Sequence, residues 1–121
     1  MGHHILVVED EAIIAMDLFL AVEDCGGVGL GPAATVSEAL ALLSGAASCD
    51  GAILDVNLPD GDIGRVLDEL EMRNAAVVVH TGFALPPEVR LRHPHVEVFQ
   101  KPTLSRVLAN ALAKKLDEAA R

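Results

Sequence analysis

The sequence has no tryptophan or tyrosine, and only three phenylalanines in 121 residues. A core built from this chain is therefore aliphatic, made of Ala, Val, Leu and Ile. Cysteine is nearly missing too: Cys25 and Cys49 are the only two. A disulfide-stapled scaffold is excluded, and both are expected to be packing residues in a reduced, cytoplasmic protein. Basic charge is scarce, with 9 Lys and Arg against 18 Asp and Glu, a net charge of −9. Such a chain is a poor ligand for nucleic acid or an anionic membrane, since both are gripped by Lys and Arg meeting phosphates. No apolar run approaches the ~20 residues of a membrane span, and no secretory signal is visible. The sequence shows no internal repeat, no low-complexity stretch and no linker. With 51% hydrophobic residues, it predicts one domain over residues 1–121 with one core.

Hydrophobic runs and periodic faces then alternate. Ile5 to Val8 reads as a buried strand. Glu11 to Asp24 reads as an amphipathic helix with Ile14, Leu18 and Val22 on its apolar side, Ile13 and Ala21 alongside, and Gly26-Gly27 as its stop. Val28 to Gly31 is a short strand that Pro32 is expected to close. Thr35-Val-Ser-Glu38 fits a capping box ahead of the next helix. Ala52 to Leu54 is a central strand, followed by a turn at Pro59-Asp60-Gly61 and a helix marked by Ile63, Val66, Leu67 and Leu70. Ala75 to Val79 is a fourth strand, ending in His80-Thr81-Gly82. Between Glu88 and Arg92 the prolines at 86, 87 and 94 permit only a brief helix. His93 and His95 flank Pro94 and are expected at the surface. Val96 to Phe99 is a fifth strand. A last helix is expected after Thr103 as cap, with Leu104, Val107, Leu108, Ala111 and Leu112 on its apolar face. Five strand–helix units in alternation predict a parallel sheet covered on both faces.

In such folds ligand chemistry sits beyond the carboxyl ends of the strands. Here those ends carry Glu9-Asp10-Glu11, then Asp55, Thr81 and Lys101. Acids at 9–11 suit the positive end of a helix dipole, and equally suit a cation site, since adjacent carboxylates repel unless something positive lies among them. A convergent set of this kind fits phosphoryl transfer onto a carboxylate. Asp55 is the candidate nucleophile. Mg²⁺ is the expected ion, taking carboxylates from Asp10 and Asp55 and the Asn57 carbonyl, with Glu9 holding a bound water. Lys101 and the Thr81 hydroxyl are expected to meet phosphoryl oxygens.

Ile5-Leu-Val-Val-Glu-Asp-Glu11, Leu54-Asp-Val-Asn-Leu-Pro-Asp-Gly61, His80-Thr-Gly82 and Lys101-Pro102, in this order and spacing, resemble the receiver domain of bacterial two-component response regulators. The resemblance covers essentially the whole chain. It implies a flavodoxin-like α/β fold, a five-stranded parallel sheet in the order 2-1-3-4-5 with helices on both faces. It implies Mg²⁺-dependent phosphorylation of Asp55 by a histidine kinase or phosphotransfer protein, and a downstream protein partner that the sequence does not identify. By position, Glu9, Asp10, Asp55 and Asn57 match the family's metal-site residues, Thr81 its switch hydroxyl and Lys101 its lysine.

Two departures stand out. Many receivers carry an aromatic residue three positions before the lysine; here that position is Val98, and Phe99 beside it is expected on the opposite face. Thr81-Gly82-Phe83 followed by prolines looks like an alphaproteobacterial subgroup without that aromatic. In it, Phe83 either reports the state of the site or packs. The chain also reads as a receiver with no output domain, either stand-alone or part of a longer regulator, signalling through the first helix or residues 83–103. Two other readings are an aspartyl phosphatase, which Asn57 disfavours because it stands where a general acid is needed, and a receiver that only binds partners.

Overall fold

The computed structural model describes residues 2–119. Three central strands, β1 (His4–Val8), β3 (Gly51–Leu54) and β6 (Ala76–Thr81), are almost wholly buried. Their unbroken apolar runs follow from being covered on both faces. The outer strands, β2 (Val28–Ala33) and β7 (Glu97–Gln100), are shorter of apolar residues and more exposed. All five run parallel in the order β2-β1-β3-β6-β7. This is the expected 2-1-3-4-5 flavodoxin-like order, because the remaining two strands form a separate hairpin, β4 (Asn57–Leu58) with β5 (Gly61–Asp62).

Side chains alternate across the sheet and so split the core in two. Leu6, Val8, Leu54 and Val79 face α2 (Val36–Gly45), α3 (Gly64–Met72) and α4 (Pro87–Arg92), meeting Leu43, Leu67, Leu70 and Val89. Ile5, Val7, Ile53 and Val78 face α1 (Ala12–Asp24) and α5 (Ser105–Ala119), meeting Leu18, Val22, Leu108 and Leu112. Both cysteines are free thiols.

Local signals act largely as read. Gly26, at φ +85°, lets the chain leave α1, where the Gly27 N–H donates to the Val22 carbonyl. At α2 the Thr35 hydroxyl accepts the Glu38 N–H, while the Glu38 carboxylate reaches back to the Ala34 N–H. Asp60, from the hairpin turn, accepts the Val36 and Ser37 N–H groups at 2.8 and 3.0 Å. The helix start is thus sealed by a residue far along the chain.

Several expectations are corrected. Strand β2 continues through Pro32 to Ala33; as an edge strand it can spare an N–H, and a register shift against β1 absorbs the extra residue. Strand β7 starts one residue later than read, at Glu97. Ile13 is 87% exposed and lies off the buried face of α1, which is Ala15, Leu18, Ala21 and Val22. On α5 the buried positions are Leu108, Ala109 and Leu112, while Leu104 and Val107 are exposed. The Thr103 hydroxyl donates to the Gln100 carbonyl rather than capping α5. Phe83 does not pack: it is 70% exposed. His93 is buried, not at the surface, because Asp68 and Glu71 of α3 each meet one of its ring nitrogens at 2.8 Å. Val98 is exposed and Phe99 is half-buried against the α1/α5 core, on opposite faces as read.

Candidate functional site

Register brings the candidate residues together. Val8 pairs with Leu54, so Glu9 follows beside Asp55 just past the strand ends. Leu54 pairs with Val79, which sets His80 on the other side of Asp55. The carboxylates of Glu9, Asp10 and Asp55 approach within 4.8 Å of one another. Glu9 and Asp55 are buried, whereas Asp10 is exposed. Lys101, just beyond β7, reaches into this group, its ammonium 3.1 Å from Asp55 Oδ2 and 3.1 Å from Glu9 Oε1. The contact with Asp55 has hydrogen-bond geometry. The contact with Glu9 is one of charge only and leaves Oε1 buried without an aligned donor among the described residues. Asp55 Oδ1 accepts the Val56 N–H at 2.7 Å.

The electrostatics follow. Burial, reinforced by the negative Asp55, raises the Glu9 carboxyl from its ordinary 4.5 to about 7, against the opposing pull of the Glu11 N–H and Lys101. Burial would lower the Lys101 ammonium, but its hydrogen bond to Asp55 and its charge pairing with Asp55 and Glu9 win and hold it above the usual lysine range. Burial and the nearby Lys101 push the His80 imidazole down.

Thr81 closes β6, fully buried, and its hydroxyl accepts the Phe83 N–H at 3.1 Å. Asn57 is exposed on the hairpin, paired with Asp62. Both occupy the same edge of the sheet, outside the contact cluster of Glu9, Asp10, Asp55 and Lys101. The direct Lys101–Glu9 contact was not read from the sequence; the register of β1 against β3 is the signal that contains it. The role of Asp60 was also missed, since a turn residue carries no mark of the distant helix it bonds.

A magnesium ion fits this donor set. Carboxylates are the ligands a hard cation takes, and those of Glu9, Asp10 and Asp55 lie close enough together to share one ion.

A doubly wound parallel sheet with an acidic cluster and a lysine at its carboxyl edge is the architecture of a receiver domain. Solved structures agree. A CheY-like receiver domain from Methanospirillum hungatei superposes with a TM-score of 0.84 at 25% identity, covering 99% of this chain and 98% of that one. The response regulator PhyR from Brucella abortus superposes with a TM-score of 0.72 at 28% identity, over 99% of this chain and 51% of that one. Among curated proteins, the phyllosphere-induced regulator PhyR of Methylorubrum extorquens is 33% identical over 121 residues, 93% of this chain. The chain spans 44% of that relative's length. No protein-family model matches. The chain has the fold of response-regulator receiver domains and is similar to them in sequence, and its likeness to PhyR agrees with the alphaproteobacterial subgroup.

Proposed function

We propose that residues 1–121 form a phospho-acceptor signalling domain in which Asp55 takes a phosphoryl group. The observation that carries this is the cluster itself: a buried carboxylate at a strand end, an ammonium 3.1 Å away, and two further acids within 4.8 Å. An Asp55 oxygen attacks phosphorus in a phosphohistidine or a small acyl phosphate. The bond from phosphorus to the donor's nitrogen or oxygen breaks, and its electron pair leaves with the donor, which is protonated from solvent. Lys101 is already beside Asp55 and can shift its contact to a phosphoryl oxygen as charge moves there. The Thr81 hydroxyl is the second donor. Glu9, Asp10, Asp55 and the Asn57 carbonyl would hold Mg²⁺, which supplies the positive charge that lets a dianion approach a carboxylate. Asn57 offers no second carboxylate for acid catalysis, which favours signalling over turnover.

The phosphodonor is a histidine kinase or phosphotransfer protein, met in the cytoplasm. Among the described residues no helix is long and apolar enough to cross a membrane. A downstream protein would read exposed apolar residues such as Phe83 and Leu91 on the segment beyond β6. With Mg²⁺ and a small acyl phosphate, intact-mass measurement should find one added phosphate on the wild type and none on Asp55→Asn. Wild-type uptake by that variant would remove the proposal.

A further inference from the structure

Lys101 has to cross β6 to reach Asp55, because β7 and β3 lie on either side of that strand. Neighbouring strands are ~4.8 Å apart, so two such spacings lie between the backbones of β7 and β3, and the Lys101 and Asp55 side chains bridge them together. The residue of β6 lying under that path is His80. It pairs in register with Phe99, two residues before Lys101, and lies beside Asp55 on its other side. Val78 and Phe99 both face the α1/α5 core, so by alternation His80 and Lys101 share that face of the sheet.

The turn carrying Lys101 is bonded to β6 on both sides. Before it, the Lys101 N–H donates to the Thr81 carbonyl at 2.8 Å. After it, the Thr103 N–H donates to His80 Nε2 at 3.3 Å. The second bond is made by a side chain, so its existence depends on the residue type at position 80. His80 is 4% exposed, and its other ring nitrogen, Nδ1, has no hydrogen-bond partner among the described residues. An imidazole that accepts at Nε2 carries its proton on Nδ1. A buried donor is thus left unmatched while the acceptor of the same ring is used. A leucine would fill this space with no unmatched donor.

We propose that His80 is a positioning residue for Lys101: as the Nδ1–H tautomer it anchors the Thr103 amide, and with it the turn that aims the Lys101 ammonium at Asp55. The proposal rests on the phosphoryl-acceptor reading only for its kinetic test. Two variants of similar bulk separate the roles. His80→Leu keeps the volume and removes the acceptor. His80→Gln offers an acceptor near the Nε2 position. With saturating Mg²⁺ and a small acyl phosphate, His80→Leu should take up phosphate at least ~10-fold more slowly, the scale expected for a misplaced catalytic group. His80→Gln should return to within about threefold of wild type. In parallel, the Thr103 amide and Lys101 side-chain NMR signals should move in His80→Leu and recover in His80→Gln.

Wild-type uptake by His80→Leu, or equal slowing in both variants, overturns the proposal. If the wild type itself takes no phosphate, the acceptor reading fails, and the NMR comparison alone decides the positioning role: unmoved Lys101 signals in His80→Leu overturn it. If His80→Leu does not fold, the imidazole nitrogen shifts of the wild type decide. A proton on Nε2 overturns the proposal, and a proton on Nδ1 supports it.

Discussion

Glu9 and Asp55, with Asp10 beside them, meet the Lys101 ammonium at the carboxyl end of the sheet. Asp68 and Glu71 of α3 meet a guanidinium, Arg92, and an imidazole, His93, at the end of α4. Both groups gather acids around bases, yet Glu9 in the first and Asp68 in the second shift in opposite directions. Glu9 is raised to about 7, chiefly by burial. Burial also works against Asp68, but hydrogen bonds from His93 and Arg92 outweigh it and hold that carboxyl below its usual range. The first cluster sets three carboxylates against one ammonium, the excess of negative charge on which the proposed cation site rests. The second is closed by its own side chains and ties α4 to α3.

The largest expected effect tests that difference through pH. Glu9 titrates higher in the folded protein than in the unfolded chain, so the folded form holds this proton more tightly. Its contribution is complete below pH 4.5 and is lost as pH rises through about 7. Without metal, melting should show a loss on the order of 3 kcal/mol across that window. Saturating Mg²⁺ should remove most of the loss, since an ion that binds only the folded state stabilises it by mass action. Glu9→Gln should flatten the metal-free slope. The Asp68 contribution has the opposite sign: it is present above the ordinary carboxylate range and lost as pH falls through its depressed value. A metal-free profile with no decline between pH 4.5 and 7 would break the contrast.

A smaller effect concerns the closed cluster. His93→Ala removes a buried ring and leaves Asp68 and Glu71 facing each other's charge. It should cost about 2 kcal/mol in denaturant unfolding. The stabilisation by Mg²⁺ should be unchanged. Loss of the Mg²⁺ response in this variant would mean that the two clusters act as one.

The smallest effect sharpens the comparison with a carboxylate that needs no cation. Asp60 is held below its usual range by the N–H groups of Val36 and Ser37 at the start of α2. Asp60→Ala should lower the melting temperature slightly and leave Mg²⁺ binding intact. A large drop would show that the hairpin anchors the α2 terminus far more strongly than an exposed cap does.

How far each cluster was legible differs for a physical reason. Asp10, Asp55 and Lys101 stand next to strands marked by unbroken apolar runs, and parallel strands deliver their ends to one edge whatever the details of packing. Their meeting could be read from position alone. His93 sits beside Pro94 in an irregular segment with no period, and only the packing of α4 on α3 brings it to Asp68 and Glu71. Ile13 shows the same limit. It continues an apolar pattern, but which arc of α1 is covered depends on where the sheet and α5 lie.

The chain by itself determined the alternation of strands and helices, the aliphatic core and the edge on which the polar groups gather. These follow from periodicity and backbone chemistry, which act over a few neighbouring residues. Tertiary structure decided the register that sets Glu9 and His80 on either side of Asp55, the reach of Lys101 across β6, and the burial that raises Glu9. Burial and charge interactions depend on distances through space, and those exist only once the strands are paired.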